Sequence, residues 1–290
     1  MSKHQISIAY SPDADDAFMF WALETCKLTH PSFDFNFKSM DTQALNQAAK
    51  EKTFDICAVS IGTLPYIFDE YRLLPHGGSV GEGYGPIVVC KDKKYLGNWQ
   101  QGPVAIPGEN TTAALVLRLL YPDIPTVSVA ISPFEEAFNC LEDGRAIASL
   151  LIHEGRLTYE EKGCFPLLDI GLAWQKKYQL PLPLGGNVIR RHLENSISNT
   201  LNELCRESIQ MALDNKDEVM DYLLNLSLGN LNSKEKLSEY LNMYANEITA
   251  GYNSSCYKAI EKLLTMGMQK NLLPPIPIEE IDGSFWTSTT

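Results

Sequence analysis

Ala148-Ser-Leu-Leu-Ile-His153-Glu154-Gly155-Arg156 is the stretch from which the architecture can be read. Ala148 to Ile152 is short and apolar and lies between Gly144 and Gly155, as expected for a parallel strand covered on both faces. His153 then falls at the strand's carboxyl end, where open α/β sheets place their ligands.

Upstream, Thr126 to Ala130 predicts a strand and Pro133 to Asp143 a helix, with Phe134, Ala137, Phe138 and Leu141 on one stripe. Before them, the strand Gly102 to Ile106 feeds Pro107-Gly-Glu-Asn110-Thr111-Thr112 into the helix Ala113 to Leu120. Such a junction is an anion site, because free N–H groups, hydroxyls and the positive end of the helix dipole coincide. The N-terminal part reads β-α-β-α-β: Ile6 to Tyr10, Ala17 to Leu23 with Asp15 or Asp16 as N-cap, Phe33 to Phe37, Thr42 to Lys50, and Phe54 to Val59. That order implies a parallel sheet with right-handed crossovers. His76 to Gly85 holds five glycines after its histidine and lacks the Gly-Lys-Ser/Thr of a P-loop, so it reads as a close approach of backbone to a ligand or another loop. Pro86 to Cys90 is a further strand, and polar Lys91 to Gln101 reads as a crossing to a second lobe.

Downstream, Leu167 to Gly171 is strand-like. Leu180 to Ile189 carries two prolines, which argues against a central strand and for a return crossing. From His192 to about Asn271 the pattern is helical, with Leu201, Leu204, Ile209 and Leu213 on a stripe, and a tail runs from Pro274 to near Trp286. Two lobes joined by two crossings, residues 1–92 plus 187–290 and residues 93–186, describe an α/β, type II periplasmic-binding-protein-like fold with a ligand cleft between the lobes.

Composition narrows the partners. The 290 residues carry a formal net charge of -12 with no basic run, which argues against nucleic acid or an anionic membrane surface as partner. Seven scattered cysteines without a CxxC pair predict buried thiols, with no disulfide framework and no zinc site. The N-terminus has no apolar h-region and no run is long enough to span a bilayer, so the expected location is the cytoplasm.

Four polar clusters fall at predicted strand ends: Ser11 to Asp16, Ser60, Asn110 to Thr112, and His153-Glu154, with Arg156 beside the last. His153 is either a structural cap or a base, since imidazole titrates where a base at neutral pH must. Thr111 and Thr112 suit an N-cap as well as a ligand. Asp13, Asp15 and Asp16 fit capping and turn roles better than a metal site. Ser60 lacks the Gly-x-Ser-x-Gly setting of a nucleophile, and His4, His30, His76 and His192 show no metal-ligand spacing. Arg145 and Arg156 read by default as surface ion pairs.

Taken together, five segments resemble the menaquinone-biosynthesis family of the futalosine pathway. They are Ser11-Pro-Asp-Ala-Asp-Asp-Ala-Phe-Met-Phe20, Gly77-Gly-Ser-Val-Gly-Glu-Gly-Tyr-Gly-Pro86, Ile106-Pro-Gly-Glu-Asn-Thr-Thr112, Leu151-Ile-His-Glu-Gly-Arg-Leu-Thr-Tyr159 and Leu180-Pro-Leu-Pro-Leu-Gly185. The resemblance implies a cofactor-independent lyase that cleaves cyclic dehypoxanthine futalosine into 1,4-dihydroxy-6-naphthoate and a three-carbon fragment. It places the proton acceptor at His153 and substrate contacts at Ser60, Thr111 and Thr112. Ser11, Asn110 and Arg156 join these as expected contacts to an aryl carboxylate. The first loop departs from the family's usual Ser-Pro-Cys-Pro-Asn-Asp-Thr-Phe by adding Asp13 and Asp15. Two alternatives stay open: chorismate dehydratase, the pathway's entry enzyme, and a non-catalytic solute-binding protein for a small organic anion. The Ile-His-Glu segment favours the lyase over the first, and the missing export signal speaks against the second.

Overall fold

Residues that alternate or run apolar in the sequence form two sheets in the computed structural model, which describes residues 3–131, 135–226, 231 and 233–287. In chain order, β1 (His4–Tyr10), β2 (Phe33–Ser39), β3 (Ile56–Ser60), β4 (Tyr71–Leu73) and β5 (Ser79–Gly81) belong to the first sheet. The second holds β6 (Ile87–Cys90), β7 (Val104–Ile106), β8 (Thr126–Ser128), β9 (Ala148–Leu151) and β10 (Phe165–Asp169), after which β11 (Leu182–Arg190) returns to the first. Their orders are β2-β1-β3-β11-β4, with β5 also paired to β11, and β10-β6-β9-β7-β8. As the opening β-α-β-α-β pattern predicts, β2, β1 and β3 are parallel. The strict alternation of β2 suits an edge strand, whose Phe37 packs edge-on against Tyr10. The fold is the periplasmic-binding-protein-like one expected, and one buried apolar cluster includes residues of both sheets, among them Ile8, Ile56, Val104 and Leu150. No described helix is long and apolar enough to cross a membrane.

The C-terminal stretch is helical as its stripes predict: Asn195–Asp214, Lys216–Asn225, Lys234–Tyr244 and Ser254–Gln269 are the longer pieces. The first of these packs on the helix Ala14–Glu24, where Ser208 Oγ donates to the Met19 carbonyl at 2.8 Å. Ala14 to Leu23 are all buried, and from Ala17 to Leu23 the helix is apolar all round, as such burial requires.

Several expectations need correction. Helix Ala14–Glu24 begins three residues earlier than its apolar run, so Asp13 is the N-cap residue and Asp15 and Asp16 sit in a buried first turn. The acidic triplet reads as turn and cap because buried carboxylates are rare, and here hydrogen bonds from outside the helix satisfy Asp15 and Asp16. β9 is parallel only to β7 and is antiparallel to β6. The first crossing lies before residues 91–101, since β6 already belongs to the second sheet. The segment with two prolines is no mere crossing: β11 is central, flanked by β3 and β4. Pro183 is tolerated because it pairs only with β5, beside a register shift, while the proline-free part from Gly185 onward pairs with β3. The helix predicted over 133–143 is seen as Glu136–Glu142; Pro133 and Phe134 lie outside the described residues. The glycine-rich segment does make the close approaches expected of it: a Cβ on Gly78 would stand 2.2 Å from the Tyr252 side chain, and one on Gly81 would stand 2.0 Å from the Tyr84 carbonyl oxygen.

Candidate active site

Between the sheets lies a cavity of about 730 Å³, part of it open to solvent, to which both lobes contribute strand ends and a helix start. Ser11 follows β1, Ser60 ends β3, Thr111 and Thr112 open the helix Thr112–Leu120, and Ile152-His153 follows β9; all line the cavity. His153 has a backbone φ of 49°, in the left-handed region, where the chain leaves β9 and turns into the short helix Gly155–Thr158.

Polar groups meet the imidazole at both nitrogens. Nε2 is 3.2 Å from Thr42 Oγ1. Nδ1 is 3.2 Å from Asp13 Oδ2 and 3.5 Å from the Tyr240 hydroxyl. Tyr240 donates to Asp15 Oδ1 at 3.0 Å, and Ser79 Oγ donates to Asp15 Oδ2 at 2.6 Å. Asp16 accepts from the Ser11 N–H at 2.8 Å. Burial and the neighbouring Asp15 push Asp13 and Asp16 both up to about 7. Burial also holds Tyr240 far above the usual phenol range, so it remains a donor. Among the described residues, no group of three or more His, Cys, Asp or Glu side chains is placed to hold a metal ion.

A raised carboxyl makes stability pH-dependent. Asp16 keeps its proton to about 7, whereas in the unfolded chain it loses it near 3.8. Stability present below about pH 4 is therefore lost as pH rises through about 7, by at most roughly 4 kcal/mol for a three-unit shift. Asp16→Asn, whose amide oxygen can still accept from Ser11, should raise the melting temperature over the parent at pH 8 and show little difference at pH 4. Thermal scans at the two pH values check this, and an equal effect at both would remove the buried charge as its cause.

On the opposite wall, Thr111 caps the helix Thr112–Leu120 by accepting from the Ala114 N–H, and donates its own hydroxyl to the Gly108 carbonyl. The Thr112 hydroxyl donates to the Leu184 carbonyl at 2.6 Å and accepts from the Gly62 N–H at 3.0 Å. Both hydroxyls are thus occupied, and the donors left for a ligand are the N–H groups of Thr112 and Ala113, which lack intrahelical acceptors. Thr112→Val leaves the Gly62 N–H and the Leu184 carbonyl without that partner and should cost about 1–3 kcal/mol. Urea denaturation checks it, with Thr112→Ser expected to recover most of the loss.

Ser60 is buried and held on both sides by Asn46, which donates to Ser60 Oγ at 3.1 Å and accepts from the Ser60 N–H at 2.8 Å. Asn110 and Arg156 do not line the cavity. The Asn110 side chain accepts from Lys50 Nζ, and its carbonyl accepts from Thr63 and Asn46. Arg156 donates to the Gly85 carbonyl and pairs with Asp169, each at 2.7 Å, tying the loop after β9 to the glycine-rich segment. Thr42, Ser79, Tyr240 and Tyr244 line the cavity without having been singled out in the sequence. Tyr240 and Tyr244 stand four residues apart on one helix, a spacing that also serves any buried face. For Asp13 a signal was present, an acidic run at a strand's carboxyl end, but its contact with His153 spans the two lobes.

Known proteins resemble this chain in sequence and in fold. The sequence profile of the menaquinone-biosynthesis family matches residues 6–269. The chain is 32% identical to a 1,4-dihydroxy-6-naphthoate synthase of Streptomyces coelicolor, over 95% of this chain and 97% of the relative. It is 28% identical to one from Thermus thermophilus, over 94% and 97%. Among solved structures, a protein of Archaeoglobus fulgidus superposes with a TM-score of 0.86 at 35% identity, covering 93% of this chain and 99% of that one. The periplasmic aliphatic sulphonate binding protein of Escherichia coli has the same fold at a TM-score of 0.67 and 10% identity, over 99% of this chain and 100% of its own.

Proposed function

The chain belongs to the menaquinone-biosynthesis family, and on that premise we propose that it is a cofactor-independent carbon–carbon lyase converting cyclic dehypoxanthine futalosine to 1,4-dihydroxy-6-naphthoate. The observation that carries this reading is the placement of His153: one ring nitrogen lies against a carboxylate, and its residue lines the same cavity as an open helix N-terminus. The substrate's aryl carboxylate lies at the N–H groups of Thr112 and Ala113, where backbone donors and the helix dipole favour an anion. His153 removes a proton from a sugar hydroxyl, which becomes a carbonyl as the neighbouring carbon–carbon bond breaks. Ser11 and Ser60 contact the substrate from the first lobe; Asn110 and Arg156 support the walls.

A protein that only binds a solute needs donors, and an imidazole held by a carboxylate is equipment for proton transfer. The same reading puts the chain in the cytoplasm; recovery from a periplasmic fraction would favour the solute-binding alternative. The deciding experiment incubates the protein with cyclic dehypoxanthine futalosine and, separately, with chorismate, and looks by mass spectrometry for the naphthoate in the first and for loss of water from chorismate in the second. Product from the first substrate alone is expected. Turnover of chorismate, or of neither, overturns the proposal.

A further inference from the structure

We propose that Asp13 is the positioning residue of His153: its carboxylate accepts the Nδ1–H and holds the ring in the tautomer that leaves Nε2 unprotonated and able to take a proton. The inference rests on the reading of His153 as the base and adds the group that orients it.

Asp13 occupies the N-cap of the helix Ala14–Glu24, where an aspartate ordinarily accepts from an N–H of the first turn. Its side chain makes no such bond. Oδ2 stands instead 3.2 Å from His153 Nδ1, so a local cap is forgone for a contact reaching from the loop after β1 to the residue beyond β9. The second group at Nδ1 is also an acceptor: Tyr240 gives its own proton to Asp15 and turns a lone pair toward the ring. Asp15 is committed in turn to Ser79 and Tyr240. A proton on Nδ1 satisfies Asp13 and Tyr240 together, and the Nε2 lone pair then faces the Thr42 hydroxyl at 3.2 Å on the cavity wall. Carboxylates dominate the surroundings: Asp15 and Asp16 on the same helix, Asp41 just before Thr42, and Glu154, next in the chain after His153 and near Tyr240. No Lys or Arg lines the cavity among the described residues, so nothing there competes as a cation for Asp13. The arrangement follows the orienting logic of catalytic triads, in which the carboxylate selects the tautomer and stabilises the imidazolium without taking the proton itself.

The test uses the full chain with ¹⁵N-labelled histidine at pH 8, where Asp13 is ionised, and reads the tautomer of His153 by long-range ¹H–¹⁵N correlation. The His153→Asn protein identifies the signal by its loss. Expected for the parent is the Nδ1–H form, and for Asp13→Ala a shift toward Nε2–H. In turnover assays Asp13→Ala should lose kcat by about 10²–10⁴-fold with KM changed little. Its melting temperature should be equal or higher, because no cap bond is lost and one of three crowded carboxylates is gone. A merely structural Asp13 would show the reverse, a lowered melting temperature and an unchanged tautomer. Should Asp13→Ala fail to fold, the isosteric Asp13→Asn gives the same kcat loss, because its amide donates to Nδ1 and inverts the tautomer. An Nε2–H parent, or a tautomer and kcat indifferent to both substitutions, overturns the proposal. If the tautomer responds but the parent does not turn over the futalosine derivative, the positioning role stands and the functional reading falls.

Discussion

His153→Asn should lower kcat on cyclic dehypoxanthine futalosine by roughly 10²–10⁴-fold, the contribution typical of a positioned general base. Asparagine is the informative replacement for two reasons. Residue 153 has φ of 49°, and Asn tolerates the left-handed region better than most side chains, so the turn out of β9 survives. Its amide also keeps hydrogen-bonding capacity toward Asp13 and Thr42, while no nitrogen on it can accept a proton near neutral pH. The melting temperature and the affinity for the naphthoate product, read by calorimetry, should therefore change little while single-turnover rates collapse. A fully active variant would remove His153 from the mechanism.

The largest expected effect on stability lies at Trp174. The side chain is wholly buried on the helix Ile170–Tyr178, 4.4 Å from the Tyr178 ring, and its indole N–H donates to the Pro181 carbonyl at 3.0 Å. Trp174→Ala should cost about 3–5 kcal/mol, from lost apolar burial and the cavity left behind. Trp174→Phe keeps much of the packing but leaves the Pro181 carbonyl without its donor, for about 1 kcal/mol. Urea denaturation with linear extrapolation separates the two. Binding should weaken with stability, because Pro181 leads into β11 and the Leu184 carbonyl on that strand anchors Thr112 at the cavity wall. A Trp174→Ala protein as stable as the parent would mean that the return of the chain to the first sheet is held elsewhere.

How much of this was legible depends on the range of the interaction. The helix Thr42–Lys50 was readable to the residue, because Asp41 caps it locally and its apolar side follows the helical period. The junction of β7 with its helix was readable for the same reason, as was the histidine beyond β9. The helix start at Ala14 is not legible, because what makes Asp15 tolerable in a buried first turn comes from residues far along the chain. Ser79 and Tyr240 satisfy Asp15, and His153 meets Asp13. Likewise β11 looked like a crossing, since proline's penalty depends on which neighbour its position faces, and only the sheet order answers that.

By itself, the sequence determined the α/β class, the alternation of strand and helix through the first lobe, the helical C-terminus, and the carboxyl-end edge on which His153 lies. These follow from hydrophobic period and local capping, which act within a few residues. Only the tertiary structure decided which polar residues share the cleft. It brought Asp13, Thr42 and Tyr240 to the two nitrogens of the imidazole, occupied the hydroxyls of Thr111 and Thr112 with the fold's own backbone, and turned Arg156 away to Asp169. A hydrogen bond is fixed by distance and direction to a few tenths of an ångström, and residues a hundred positions apart acquire that geometry only when both lobes are packed.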